Sequence, residues 1–483
     1  MTRPRTAEAL VECAAVPLQR AWRAFKWELL ARHDRYPDFA TDRQLQRQER
    51  FTAGQLQGLR REKTRALVRD CLASIPYYGD LMRAAGITPE RVEGPEDLER
   101  LPLLNKEIVR REKERMLNRA ARPEEFHPHT TAGSTGSGLD FYRGYDYERI
   151  AVAGGNLRAW RRMGWRPGDP LGQFWMTHGD ELPKVSGFGR LRRAARRWLE
   201  PPGEMYDPFD NSPAVFDGWI ERIRAHGPDY FYGYGSVITL LAYHLKNRGQ
   251  TLDRIRGIAT TAEALLPHAR AVLQQVLPRA TIIDVYGSRE VPGVSCQCRL
   301  GVMHLNSDLV HVEFLPDPRS QGGSRMVLTA LDNRIFPFIR YDIQDEGRPA
   351  DQPCGCGLPF PPYRFGPGRI IDSFILPDGR ILYSGPFEDL MFEVPAVRRY
   401  QFLQKTVDQV TLLVVPDVLF GDESRAALQK TRLKGAEMFG PGVKFEVQLV
   451  DGIPLTRSGK HLYMVSLVRN PLLERGNESV PLL

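Results

Sequence analysis

The sequence predicts an α/β protein: a large N-terminal domain of helix-flanked sheets with a small β-rich subdomain, followed by a small α+β C-terminal domain. Three observations carry this. Strand-like and helix-like patterns alternate between Tyr230 and Tyr286, as in parallel strands joined by packed helices. From about residue 309 to 345 the pattern changes to strands separated by turns. The chain has 483 residues, more than one core usually organises, and its character changes again beyond Asp372. The expected division is therefore 1–372 and 373–483.

The stretch 1–125 reads as a helical leading region, because Ala7 to Leu30 and Thr41 to Leu72 place Leu, Arg and Glu at helical spacing. Pro102-Leu103-Leu104-Asn105-Lys106 offers a turn and then an N-cap at Asn105, whose side-chain oxygen can accept a free N–H of the next turn. Tyr230 to Tyr232 reads as a short aromatic strand and Val237 to Arg248 as a helix. Ile255 to Thr261 then reads as a strand, His268 to Val276 as a helix and Thr281 to Tyr286 as a strand. Val310 to Phe314 and Arg325 to Thr329 are the clear strands of the β-rich part, and Cys354 to Arg369 reads as turn-rich. In the last domain Gln409 to Val415 alternates as a strand, and Glu423 to Phe439 is a charged helix.

Composition narrows the function classes. Hydrophobic content of 42% and charged content of 26% are ordinary for a globular protein. No apolar run approaches the roughly 18 residues of a membrane span. Glu8 and Glu12 spoil the N-terminus as a secretion signal, so a cytoplasmic protein is expected. The net charge of +8 suits an anionic small ligand, but also a nucleic acid or a membrane surface. The densest basic run, Arg190, Arg192, Arg193, Arg196 and Arg197 beside Trp198, reads as a solvated helix face or a docking face for a phosphate or an acidic carrier protein. No helix-turn-helix, zinc-finger or RNA-binding signature accompanies it, so no nucleic-acid partner is expected. Cys13 and Cys71 are isolated and read as packing residues, whereas Cys296/Cys298 and Cys354/Cys356 form Cys-x-Cys pairs. In a cytosolic chain such pairs suggest metal before disulfide.

The chemistry centres on Thr131-Ala132-Gly133-Ser134-Thr135-Gly136-Ser137-Gly138. Glycines let successive N–H groups point inward, and the hydroxyls add donors to an anionic oxygen. The loop lacks the Gly-Lys-Ser/Thr ending of the common nucleotide P-loop. It is followed, in order, by Thr261-Ala262-Glu263, Tyr286-Gly287-Ser288-Arg289-Glu290, Arg340-Tyr341-Asp342-Ile343-Gln344-Asp345, Gly368-Arg369-Ile370-Ile371-Asp372 and Pro454-Leu455-Thr456-Arg457-Ser458-Gly459-Lys460. Ile75-Pro76-Tyr77-Tyr78 and the Pro102 to Lys106 segment precede it. This ordered set resembles the adenylate-forming superfamily of acyl-CoA synthetases and adenylation domains, and within it the phenylacetate–CoA ligase and capsule-biosynthesis branch.

The resemblance implies ATP-dependent conversion of a carboxylic acid into an acyl-adenylate with release of pyrophosphate, then transfer to a thiol, most readily that of coenzyme A. It assigns Thr131, Gly133, Ser134, Thr135 and Gly136 to the ATP phosphates. Thr261, Ala262, Glu263, Tyr286, Gly287, Ser288, Asp345 and Arg369 complete the nucleotide site. Within it Tyr286 offers a flat face to adenine and Asp345 accepts the ribose hydroxyls. Glu290 is the Mg²⁺ ligand and Lys460 the catalytic lysine, bringing a cation to the α-phosphate and the substrate carboxylate. Arg369 and Asp372 mark the hinge on which a mobile C-terminal domain turns between the two half-reactions. Trp175, Tyr230, Tyr232 and Tyr234 lie where relatives line the acyl pocket, which hints at an aromatic or flat acid.

The branch also implies a structural Zn²⁺ site, with Cys298 and His304 supplying one half and Cys354 and Cys356 the other; Cys296 stands as an alternative to Cys298. A homodimer is compatible with the resemblance. Three departures stand out: Gln344 where a Gly usually precedes the ribose-binding Asp, Ile371 in place of the first hinge acid, and Leu139-Asp140 after the loop. Two other readings remain open from the sequence. One keeps the adenylate but changes the acceptor to an amine or a carrier-protein thiol. The other is a non-catalytic nucleotide- or nucleic-acid-binding protein, against which Lys460 and Glu290 count.

Overall fold

Thr52 decides where the leading helices separate. The helical pattern expected from Thr41 to Leu72 is two helices, α1 (Phe39–Gln48) and α2 (Ala53–Ser74). Thr52 has extended backbone, its side chain accepts from Gln55 N, and the Gln55 side chain takes the Thr52 N–H. This capping box starts a new helix and ends the continuous one. Helix α3 (Pro76–Ala84) opens on a proline, which has no N–H to leave unsatisfied, and α4 (Lys106–Met116) is capped as expected by Asn105, which accepts from Ile108 N at 2.8 Å.

The structure is a computed structural model. It describes residues 22, 25, 39–130, 139–167, 169–175, 203–206, 213–262, 265, 267–316, 324–369, 374–378, 381–382, 387, 390–391, 394–454 and 462–468. The helix expected from Ala7 to Leu30 and the basic run Arg190 to Arg197 fall mostly or wholly outside these residues. Among the described residues no helix is long and apolar enough to cross a membrane.

After the leading helices, β1 (Phe126–Thr130) and β2 (Asp140–Gly144) form an antiparallel hairpin in register Thr130 to Asp140. Helix α5 (Ala153–Arg162) follows, then β3 (Leu171–Phe174), β4 (Gly203–Met205) and α6 (Pro213–His226). The alternating stretch comes next, as β5 (Tyr230–Tyr234), α7 (Gly235–Asn247), β6 (Gly257–Thr261), α8 (Pro267–Val276) and β7 (Thr281–Tyr286). Strands β3 to β7 pair in parallel, as expected of strands joined by crossover helices.

The β-rich part comprises β8 (Ser295–Gln297), β9 (Met303–Leu305), β10 (Val310–Pro316), β11 (Ser324–Ala330), β12 (Tyr341–Pro349) and β13 (Pro362–Arg369). It continues the same sheet, giving eleven strands in the order β10-β11-β12-β13-β9-β8-β7-β6-β5-β3-β4. The stretch expected to be turn-rich up to Arg369 is a strand from Pro362 onward, because Tyr363, Arg364 and Phe365 pair with β12 and Pro362 and Tyr363 with β9. Neighbouring strands supply partners that the Pro and Gly content of this segment does not advertise.

The leading helices are not a separate layer. Leu67, Val68, Cys71, Tyr78, Leu104 and Val109 share one core with Phe141, Val291, Leu328, Phe338 and Tyr341. Cys71 is fully buried there, a packing residue as expected. A second core lies between the parallel strands and helices α6 to α8. The third begins at Phe374 and runs to Met464. It joins β14 (Phe374–Ile375) and β15 (Ile381–Leu382) to a four-stranded sheet in the order β18-β17-β16-β19. That sheet is β16 (Val397–Thr406), β17 (Gln409–Pro416), β18 (Lys444–Leu449) and β19 (Met464–Ser466), crossed by α9 (Asp422–Phe439).

Candidate active site

The parallel strands end in one row. Register places Phe174 beside Gly233, Gly233 beside Thr260, Tyr234 beside Thr261, and Thr260 beside Asp284. Trp175, Tyr234, Thr261 and Tyr286 therefore stand at or just past the carboxyl ends of β3, β5, β6 and β7. Open α/β sheets bind ligands in the crevice outside those carboxyl ends. The parallel part of the sheet ends at β7, which runs parallel to β6 but pairs antiparallel with β8 through Tyr286 and Ser295.

The segments picked out in the sequence meet at this edge. Tyr286 donates its hydroxyl to Asp345 Oδ2 at 2.7 Å, and its ring meets Phe365 edge-on at 4.5 Å. Tyr341 donates to Glu290 Oε1 at 2.9 Å. The two motifs are thus crossed: the tyrosine of each one holds the carboxylate of the other. Glu290, Asp345 and Tyr341 are all buried. Burial and the adjacent Glu290 raise the Tyr341 phenol well above its ordinary range, so it stays a donor.

The leading motifs brace this arrangement. Leu104 N donates to Arg340 O at 2.9 Å, and Asp342 N donates to Leu104 O at 2.8 Å, which pins the chain on both sides of Tyr341. The Tyr78 hydroxyl donates to Pro337 O and accepts from Ile339 N, both at 3.1 Å. Arg340, with φ of 54°, ion-pairs Glu313 at 2.6 Å. Gly293, with φ of 67°, lets the turn after Glu290 approach the helical turn leading into α5 so closely that a Cβ would lie 2.4 Å from Ala151 O.

The glycine-rich loop, with Thr131, Gly133, Ser134, Thr135 and Gly136, lies outside the described residues, but its two ends do not. They are the adjoining ends of the β1–β2 hairpin. Arg289 donates to Thr130 O at 2.8 Å, and the buried Arg143 donates to Arg289 O, so the base of the loop is tied to the Tyr286–Glu290 turn by two cations. His129, whose Nδ1 accepts the Thr130 N–H at 3.0 Å, is pushed down to about 4 by burial and by Arg143 and Arg289. It is a neutral ring at neutral pH.

Thr261 closes β6 and Ala262 follows with φ of 69°. Asp284 holds this exit: it accepts from Thr260 Oγ1 at 2.9 Å and from Leu265 N at 3.3 Å. Desolvation raises Asp284 to about 6. Glu263, Asp372 and Lys460 lie outside the described residues, and of Arg369 only the backbone is placed, opposite Asp345. Gly287 and Ser288 form the turn before Glu290, with Ser288 N donating to Val291 O and Ser288 Oγ accepting from Val291 N, both at 3.0 Å.

The aromatic residues expected at the acyl pocket divide into two groups. Trp175 stacks on Tyr234 at 4.7 Å and on Tyr232 at 6.1 Å, forming a slab at the strand ends. Tyr230 stands at the opposite end of β5 and donates to Gly164 O at 3.0 Å. It is a core residue there, because two turns of the pleat separate it from Tyr234.

A second cluster sits just past the end of β8, on β9 and in the turn before β13. The ligand atoms of Cys298, His304, Cys354 and Cys356 all lie within 4.8 Å of one another. Cys298 Sγ and Cys354 Sγ are 3.8 Å apart, and Cys356 Sγ and His304 Nε2 are 3.4 Å apart. Tetrahedral zinc with ordinary bond lengths gives edges of about 3.8 Å and about 3.6 Å for these pairs. His304 Nδ1 donates to Phe360 O at 2.7 Å, which leaves Nε2 as a lone pair facing the thiols. Cys296, the alternative ligand, is excluded: it points away into the core, with Arg162 donating to its Sγ at 2.8 Å. Residues two apart on a strand face alike only when both stay in the strand, and Cys298 has already left β8.

Sequence reasoning passed over Tyr341, Arg289, Arg143 and Asp284. The first two lie inside motifs it had marked, so their position was available without their role. Arg143 and Asp284 carry no local signal for these roles, since the contacts that matter here, Arg143 with Arg289 O and Asp284 with Thr260 and Leu265 N, join segments more than a dozen residues apart.

Residues 374–466 match the CapK C-terminal domain family. The chain is 26% identical over 385 residues to a phenylacetate-coenzyme A ligase of Thermus thermophilus, which spans 74% of this chain and 81% of that protein. Its structure is similar to 2-hydroxyisobutyryl-CoA ligase in the postadenylation state in complex with R3-HIB-AMP, with a TM-score of 0.66 at 19% identity over 89% of this chain and 93% of that one. An open conformation of that ligase in complex with 2-HIB-AMP and CoA gives a TM-score of 0.54 at 19% identity over 87% and 93%. The chain shares the fold of that CoA ligase and is similar in sequence to a phenylacetate-coenzyme A ligase, with its last domain similar to the CapK C-terminal domain.

Proposed function

We propose that this protein uses ATP to convert a carboxylic acid into an acyl-adenylate and then passes the acyl group to the thiol of coenzyme A. The observation that carries the reading is the crossed tyrosine–carboxylate pair, which sets Glu290 and Asp345 together at the carboxyl ends of the parallel strands. Asp345 would accept the ribose hydroxyls and Tyr286 would stack on adenine beside it, with Thr261 to Glu263 closing the nucleotide site. The loop Thr131 to Gly138, tied at its base to Arg289, would direct N–H and hydroxyl donors at the β- and γ-phosphates. Trp175 and Tyr234 would line the acyl pocket.

In the first half-reaction a carboxylate oxygen bonds to the α-phosphorus and the bond to the β-phosphate bridging oxygen breaks, releasing pyrophosphate. Glu290 would hold a Mg²⁺, which when bound offsets phosphate charge. Lys460 would stabilise the charge that builds on the α-phosphate and the acid. In the second half-reaction the thiol sulfur attacks the acyl carbon, its proton passes to solvent, and AMP leaves. We place the domain boundary at 372/373, supported by a third core that begins at Phe374, with Arg369 and Asp372 as the hinge. Cys298, His304, Cys354 and Cys356 would hold a structural Zn²⁺ that ties the turn before β13 to β9.

The test is acid-dependent exchange of labelled pyrophosphate into ATP over a panel of aromatic and aliphatic carboxylic acids, repeated with coenzyme A and with amines. Exchange with at least one acid and a thioester product are expected. No exchange with any acid rejects the adenylation reading, and a product formed only with amines reassigns the acceptor.

A further inference from the structure

Tyr341 occupies one of the two Glu290 oxygens from inside the protein. The bond is 2.9 Å, the tyrosine is fully buried and the glutamate is 6% exposed. Glu290 Oε2 takes no hydrogen bond among the described residues. A carboxylate this buried, with one oxygen paired and the other left open, is built to meet a cation or a strong donor on its open side.

We propose that Tyr341 is a positioning residue that confines Glu290 to single-oxygen ligation and thereby makes the site select Mg²⁺ over Ca²⁺. The inference rests on the reading of Glu290 as the cation ligand of an ATP site. Mg²⁺ demands near-ideal octahedral geometry with short bonds to single oxygens, whereas Ca²⁺ takes six to eight ligands and readily accepts both oxygens of one carboxylate. A glutamate with one oxygen committed elsewhere suits the first ion better than the second.

The commitment is stiff. Tyr341 cannot follow Glu290, because its backbone is bridged to Leu104 on both sides. Its ring is also wedged edge-on against Phe338 at 5.1 Å. The turn that carries Glu290 is held by Arg143 through Arg289 O and by the packing of Gly293 on Ala151. The reciprocal bond from Tyr286 to Asp345 fixes the two motifs against each other a second time. Rotating Glu290 to present both oxygens would break the Tyr341 bond and leave a buried hydroxyl unpaired.

Calorimetric titration of ATP into the full chain without any carboxylic acid, at saturating Mg²⁺ and then at saturating Ca²⁺, reads this selectivity with no turnover. Wild-type protein is expected to bind ATP about tenfold more tightly with Mg²⁺. Tyr341→Phe keeps the ring and the packing but frees Oε1, and is expected to narrow the ratio to about twofold, chiefly through tighter binding with Ca²⁺. Tyr286→Phe should weaken ATP binding with both ions and leave the ratio unchanged. Equal affinities in the wild type, or a wild-type ratio in folded Tyr341→Phe, overturn the inference. If Tyr341→Phe does not fold, the wild-type ratio decides alone. Loss of ATP binding with either ion in the wild type would instead overturn the nucleotide reading on which the inference stands.

Discussion

At Gln344 the backbone is left-handed, with φ of 65°, one residue before the carboxylate assigned to ribose. An L side chain in that region costs about 1–2 kcal/mol, which glycine avoids. The motif pattern that the sequence resembles has a glycine there, which suits this angle. The cost is tolerated because Gln344 N donates to Asp342 Oδ1 at 3.1 Å and the flanking strand is paired. Gln344→Gly is therefore expected to raise stability by up to about 1 kcal/mol, less than the full strain because glycine also loosens the unfolded chain. Gln344→Val should lower it by about 1 kcal/mol or more, since a β-branched side chain suits that angle least. Urea midpoints of the two variants check this, and a destabilised Gly variant would contradict it. The substitution was visible in the sequence, but its meaning was not. Only the torsion angle separates a strained position from an ordinary one.

Single strands and turns do the work at the cysteine cluster. β9 presents His304, the chain leaving β8 presents Cys298, and the turn before β13 presents the Cys354/Cys356 pair. A metal bound only by the folded protein stabilises it by about 4 kcal/mol when present at a thousand times its dissociation constant. Purified protein is expected to carry stoichiometric zinc. Cys298→Ser and Cys354→Ser should each lose it and melt several degrees lower, while Cys296→Ser should keep it. Metal analysis and a thermal melt of the three variants decide, and retention of zinc in Cys298→Ser would reject the ligand set. The spacing of the cysteines showed that a metal was in question, but the choice between Cys296 and Cys298 needed the end of β8. The same limit applies to the helix pattern from Thr41 to Leu72, where periodicity ran through a break that the Thr52 capping box imposes.

For the whole molecule, the reading requires that a lysine carried by the last domain reach a nucleotide held by the first. Lys460→Ala is expected to lower acid-dependent pyrophosphate exchange by a factor on the order of 10²–10³ while the melting profile is preserved. Near-wild-type exchange in that variant would remove Lys460 from the mechanism. Asp372→Pro, which stiffens the proposed hinge, should spare adenylation more than thioester formation, and equal loss of both would argue against a hinge. What the sequence determined by itself was the alternation of strands and helices, the parallel sheet and the ordered motifs. These are properties of hydrophobic period and local turn chemistry, which act over a few residues. Tertiary structure alone decided that the β-rich part extends the same eleven-stranded sheet, that Tyr230 belongs to the core while Tyr234 stands at the strand ends, and that the tyrosine of each motif holds the acid of the other. Those outcomes depend on contacts between segments far apart in the chain, for which no local pattern exists.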